Sequence, residues 1–298
     1  MMKGMLLGLL FPVAVAAQPD STATISIRKQ KGRVKTKSVW SYPSKADKKK
    51  GILSETYAYD EKGRVTMRMS FYSNIKELYA YGKDGRLLAL DVHDTYLNRF
   101  TYRDTFLYDD KGRLAQKLRL NMNVGANVTD VLGKKKADST GKAQRAIASV
   151  THYVYDSLGR LMMSGQTNAT EKLFVFYTYD SSGNVLSVKK MKQVEMPSKS
   201  GSALSDTLFI EMKVYTYDKW GSLIVTETTD SYARKKKELH KYDAENRLEE
   251  TSVFGDQATP DEKYTYAYDE KGNLAEQVSY DYLHKTESLT KFVYEFYD

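Results

Sequence analysis

The chain has 298 residues, a formal net charge of +8, and 24 Tyr against 10 Phe and 2 Trp. It has 0 Cys, which excludes disulfide staples, thiolate metal sites and cysteine nucleophiles. With only 5 Pro and no long apolar helical pattern, the composition suits an all-β chain with many turns.

In chain order, the first informative segment is MMKGMLLGLLFPVAVAAQPD. Lys3 precedes an apolar run from Gly4 to about Ala17, followed by small residues. A bilayer span needs about 20 apolar residues, so the run is too short to cross and reads as a secretory signal peptide over 1–17. Cleavage after Ala16 or Ala17 leaves a single domain over 18–298, exported to the periplasm, cell surface or exterior. No lipoprotein cysteine is present, and no transmembrane segment remains after cleavage.

Next comes a repeated string. YAYDEKGRV (57–65) is followed by YAYGKDGRL (79–87), FLYDDKGRL (106–114), YVYDSLGRL (153–161) and YTYDSSGNV (177–185). Then come YTYDKWGSL (215–223), HKYDAENRL (240–248) and YAYDEKGNL (266–274). A degenerate copy, SIRKQKGRV, starts at Ser26, and FVYE at 292–295 is a last strand without its turn. Successive central tyrosines are 22, 27, 47, 24, 38, 25 and 26 residues apart, so the unit is about 25 residues with two insertions.

Asp-x-x-Gly is the signature of a type I turn closed by a left-handed residue, the three-residue hairpin connection with a G1 bulge. Asp accepts from the turn's amides, and Gly takes positive φ without steric cost. Asn246 replaces Gly in one copy and tolerates the same conformation. This turn predicts Asp60 opposite Arg64, Tyr59 opposite Val65 and Tyr57 opposite Met67. Val65, Met67, Met69 and Phe71 then share a face, as do Leu114, Leu118, Leu120 and Met122. Each unit is a hairpin.

Nine hairpins give about 18 antiparallel strands, roughly 80 Å of flat sheet at about 4.8 Å per strand. Open sheets rarely exceed about ten strands without curling. The expected fold is an all-β meander of hairpins coiled into an open spiral sheet or half-shell. FVYEFYD is then an edge strand at which another chain can pair.

The eight copies of Y-x-Y-D-x-x-G-R-L resemble the YD repeats of bacterial RHS proteins, toxin-complex components and teneurins. The resemblance covers residues 26 to 298. It implies a β-shell, carbohydrate binding and cell-surface contact. Large members enclose a cargo; this chain has too few repeats for such a shell and lacks the RHS-associated core and a following toxin domain.

Two segments break the period and read as long loops opposite the tight tips: 123–149 and 191–206. Triple lysines at Lys48, Lys49, Lys50, at Lys134, Lys135, Lys136 and at Lys235, Lys236, Lys237 are candidate contacts for an anionic polysaccharide. No nucleic-acid recognition motif is present. Asp91, His93 and Asp94 form the most metal-like cluster, but two ligands on one strand need others from elsewhere, so no metal is expected. Hydrolase, metalloprotease, phosphate-loop and dinucleotide motifs are absent, so neither catalysis nor a cofactor is expected.

The sequence therefore predicts an exported, non-enzymatic binding or scaffold module. Tyr57, Tyr79, Tyr153, Tyr177, Tyr215 and Tyr266, one pleat from the turns, are the candidate residues for stacking on a glycan. One alternative is an interaction component of an RHS-type secretion or toxin system. Another is an outer-membrane β-barrel, against which LEETSV sets Glu250 and Ser252 on a face that lipid would have to cover.

Overall fold

A computed structural model describes residues 33–43, 51–124, 144–196 and 204–297. The expected leader at 1–17, Lys48 to Lys50 and Lys134 to Lys136 lie outside these residues. Every element within them is a strand. The first nine are β1 (Val34–Tyr42), β2 (Ile52–Tyr59), β3 (Val65–Ser70), β4 (Ile75–Tyr81), β5 (Leu87–Asp94), β6 (Arg99–Tyr108), β7 (Leu114–Val124), β8 (Gln144–Tyr155) and β9 (Leu161–Asn168). The rest are β10 (Glu171–Tyr179), β11 (Val185–Met196), β12 (Leu204–Tyr217), β13 (Leu223–Asp230), β14 (Lys235–Tyr242), β15 (Leu248–Phe254), β16 (Glu262–Tyr268), β17 (Leu274–Asp281) and β18 (Thr286–Phe296). β7, β8, β11 and β12 extend into the segments that the sequence assigns to loops.

Each strand pairs antiparallel with its sequence neighbours, and β18 pairs with β1. The sheet is therefore a closed 18-stranded barrel, which corrects the expected open spiral. The physical reason lies at the two ends of the sequence. β18 is not an edge: Lys37 faces Tyr294, Ser38 faces Val293 and Val39 faces Phe292. The strand after the degenerate copy thus supplies the return arm that FVYE lacks, and closure satisfies two rows of backbone groups that an open sheet would expose.

Nine hairpin ends lie on one rim, eight closed by a tight turn and the ninth made by β18 and β1. At each tight tip the repeat behaves as its letters require. Asp60 N donates to Arg64 O at 2.9 Å and Gly63 N to Asp60 O at 2.9 Å. Gly63 has φ of 75°, and Asn246, in the same place, has 55°. Tyr59 faces Val65, and the corresponding Tyr–Leu or Tyr–Val pair recurs at all eight tips.

Just above this pair the ladder slips. A bulge between Ala58 and Tyr59 sets Tyr57 opposite Arg68, where the sequence predicts Met67. Met67 and Met69 face Ala58 and Thr56 instead, on the other side of the sheet from Tyr57. The same slip recurs between Leu107 and Tyr108, so Leu118 and Leu120 part from Leu114 and face Thr105 and Arg103.

The bulges thus sort the side chains into two walls. On the tyrosine wall, groups reach across two strands: Tyr153 feels Asp104 and Tyr108, and Tyr215 feels Glu238 and Tyr177. Side chains converge in this way on a concave surface, so the tyrosine wall is the inner one. It holds the buried Val92, Phe106, Val188 and Val253, and also the buried Lys37, Asp104, Thr151, Thr226, Glu238 and Thr251. The outer wall carries exposed Leu78, Leu107, Val154, Phe176, Met212, Val214 and Val293. Among the described residues no strand runs beside any strand but its two ladder neighbours. Drawn as a circle, eighteen strands at about 4.8 Å give a ring roughly 27 Å across, which strand tilt widens.

Candidate functional site: the inner tyrosine wall

Two rings of tyrosine line the barrel near the tight rim, and they do different work. From the second copy on, the second tyrosine of each is a fastener. Tyr81 Oη donates to the carbonyl of Val65 on the preceding hairpin at 2.9 Å. The same bond runs from Tyr108 to Leu87, Tyr155 to Leu114, Tyr179 to Leu161 and Tyr217 to Val185, all at 2.8–2.9 Å. It continues from Tyr242 to Leu223, Tyr268 to Leu248 and Tyr294 to Leu274. Tyr297 closes the circle by donating to Tyr59 O at 2.6 Å. Sequence reasoning missed these bonds, because repetition shows that a tyrosine is required but not where its hydroxyl goes.

At five tips an arginine after the turn completes the fastener. Asp60 Oδ2 accepts from Arg64 Nε at 2.7 Å while Oδ1 accepts from the Arg64 amide. The guanidinium, so aimed, lies 4.5 Å from the ring centre of Tyr81 on the next hairpin. Arg86 covers Tyr108, Arg113 covers Tyr155, Arg160 covers Tyr179 and Arg247 covers Tyr268 at 4.8–5.1 Å. Bonding to the arginine side chain and amide holds the Asp60, Asp109, Asp156 and Asp243 carboxyls below the usual range against the opposing pull of desolvation. In the second copy Asp84 stands two positions late and still binds Arg86 Nε at 2.5 Å.

The first tyrosines, the candidates for glycan stacking, share this inner wall. Tyr57, Tyr79, Tyr153, Tyr177, Tyr215 and Tyr266 are all half-buried, and the structure brings them onto one face. Their hydroxyls are partly engaged. Tyr57 donates to Glu55 and Tyr79 to Glu77, the latter at 2.7 Å. Arg68 ties both carboxylates together, at 2.6 Å to Glu55 and 3.4 Å to Glu77. Desolvation, aided by the adjacent glutamates, pushes both phenols well up. Burial raises Tyr215 and Tyr266 to about 12.

Lys37 sits in the same cluster, 6% exposed, with its Nζ 4.2 Å from the Tyr57 ring centre. Desolvation lowers its pKa to about 8, with Glu55 opposing and Arg68 reinforcing the shift. Farther round, Asp104 is 2% exposed and held at two points by Arg119 at 2.8 Å. The inner wall is thus polar and charge-paired rather than oily. It offers ring faces, carboxylates and guanidinium groups at fixed spacing.

The other described candidates do not join this wall. Of the triple lysines, Lys235 to Lys237 open β14 at the rim opposite the tight tips; Lys236 pairs with Glu238 at 2.9 Å and Lys237 with Glu227 at 3.7 Å. Asp91 is gripped by Arg103 at 2.5 and 2.6 Å, and His93 packs against Phe100.

No family model and no curated protein sequence matches the chain. Among solved structures it is similar to the TcdB2-TccC3-Cdc42 complex, with 15% identity and a TM-score of 0.27 over 76% of this chain and 13% of that one. It is also similar to porin-like proteins from Bacteroides uniformis and Bacteroides vulgatus, each at 10% identity and TM-score 0.39 over 88% of this chain. Those two chains are covered to 98% and 99%. At such scores none of the three fixes the fold; the strand pairings do.

Proposed function

We propose that the chain is an exported, non-enzymatic β-barrel of the cell envelope, related to the YD-repeat proteins, that offers its inner wall to hydrophilic solutes, carbohydrates foremost. One observation carries the reading: a closed barrel whose concave face sets half-buried tyrosines beside paired charges. Ring faces next to fixed donors and acceptors are the chemistry that holds a sugar, by stacking on its C–H face and bonding its hydroxyls.

An outer-membrane pore is the second reading, and closure favours it, since an open sheet cannot span lipid and a closed one can. A polar interior and one rim of tight turns also suit it. The outer wall weighs on the other side. It carries Asp91–Arg103 and Glu276–Lys291, with Arg103 and Lys291 mid-strand, and the Lys241–Glu250–Lys263 cluster nearer the strand ends, at 2.5 to 3.2 Å. Each Arg or Lys at a bilayer midplane costs about 2–4 kcal/mol. Two such cations, Arg103 and Lys291, on the outer face weigh against burial in lipid, and on this ground we propose that the outer wall faces water.

The test is fractionation followed by binding. Expressed with its leader, the protein is expected in the exported soluble fraction and to stay there after carbonate washing. The chain from Gln18 onward is expected to be retained on an immobilised polysaccharide panel at high salt, and Tyr79→Ala or Tyr153→Ala to weaken retention. Stepwise conductance in planar bilayers with carbonate-resistant membrane association would overturn this in favour of the pore.

A further inference from the structure

Arginine is missing after the turn at three of the eight tight tips, where Asn184, Ser222 and Asn273 stand instead, and a cleft lies between the first two. At the tip joining β10 and β11 the residue after the turn is Asn184, not arginine. Asn184 Nδ2 still bonds Asp180 Oδ2 at 2.9 Å, but an amide is too short and uncharged to cover the next ring. That ring is Tyr217, whose hydroxyl is fixed on Val185 O at 2.9 Å like its counterparts. Among the described residues no cation lies over it. The electrostatics agree. Tyr81, Tyr108, Tyr155 and Tyr179 each feel an opposing guanidinium, whereas desolvation and Asp180 both push Tyr217 up with no cation to oppose them. The adjoining tip, between β12 and β13, has Ser222 after its turn, so Asp218 accepts only from backbone amides there.

Between these two tips lies a cleft of about 750 Å³ lined by Asp180, Asn184, Tyr217, Asp218, Lys219 and Trp220. Trp220 is 77% exposed at its rim, with Lys219 Nζ 4.3 Å from the ring centre. An exposed indole, an uncovered phenol and two aspartates against a single lysine make a pocket of net negative charge with π faces.

We propose that this cleft binds a guanidinium group from outside the chain, an arginine side chain of a peptide partner, in the position over Tyr217 that an internal arginine takes at five other tips. The barrel itself supplies the precedent: carboxylate on one side, ring beneath, guanidinium 4.5–5.1 Å from the ring centre. A desolvated cation–π contact backed by a carboxylate suits a planar, weakly hydrated guanidinium better than an ammonium.

The test uses the whole barrel and two isosteric probes, L-argininamide and the uncharged L-citrullinamide. Trp220 fluorescence is followed in a Trp40→Phe background, since the chain has only 2 Trp. Argininamide is expected to bind at least about tenfold more tightly than citrullinamide, the share of a charge-assisted contact. Asn184→Arg, which builds the fastener found at five other tips, is expected to abolish binding while raising thermal stability. Equal response to both probes, no response to argininamide, or undiminished binding in Asn184→Arg would each overturn the proposal.

Discussion

Ala233 shows how much of this fold rests on single backbone conformations. It closes the turn from β13 to β14 with φ of 60°, its amide bonding Asp230 O at 3.0 Å while Arg234 Nε binds Asp230 Oδ2 at 2.7 Å. The Asp-x-x-Gly-Arg plan therefore recurs once on the opposite rim, with alanine where glycine belongs. A left-handed L-residue costs about 1–2 kcal/mol, so Ala233→Gly is expected to stabilise the barrel by about 1 kcal/mol in denaturant titration. That turn escapes the sequence search because its string, DSYAR, lacks both the leading tyrosines and the glycine that mark the others. Lys37 makes a second prediction at this scale. Its folded pKa of about 8 lies below the ordinary 10.5, so between these values the unfolded chain binds more protons. Stability should rise with pH across that window, until the tyrosines, held protonated by burial, begin to work the other way above about 10. Lys37→Met should remove the rise; a slope unchanged in the variant would assign it to other groups.

Hairpins are joined to one another by more than the backbone ladder. A tyrosine hydroxyl bonds the neighbouring hairpin at these seams, joined at five of them by an arginine fork from the adjoining tip, and a hydroxyl–carbonyl bond of this kind contributes about 1 kcal/mol. Tyr155→Phe is expected to cost about that much, and a double-mutant cycle of Arg113→Ala with Tyr155→Phe to show coupling well below it, since the cation–π contact survives in phenylalanine. The hairpins themselves were legible in the sequence, down to the Tyr–Leu pairing and the left-handed residue, because turn chemistry is local. The walls were not. A bulge two residues from the turn adds one residue to one strand, and with a side-chain period of two this moves Met67 and Leu118 to the opposite face. The candidate stacking tyrosines share one strand face; Tyr57 and Tyr79 lean on Glu55 and Glu77 two residues back on their own strands, and only Arg68, which joins the two carboxylates, is placed there by the shifted register.

At the scale of the molecule, the strand count was readable and the closure was not. The repeat fixes about 18 strands, but a sheet closes or stays open according to whether its first and last strands meet in register. Here they do, over a pairing that runs from Val34 with Phe296 to Tyr42 with Leu289. Closure turns one face of a long sheet into an enclosed polar surface, which is why the proposed function lies inside rather than along an edge. It also makes this pairing the most direct point to test. In this cysteine-free chain, Ser38→Cys with Val293→Cys places two thiols at directly paired positions of β1 and β18, where antiparallel Cα atoms lie about 4.5–5.5 Å apart, within disulfide reach. Near-complete oxidation within the monomer is expected, read as a faster-migrating band on a non-reducing denaturing gel; free thiols, or disulfides only between molecules, would mean that the two strands do not meet and that the barrel is open.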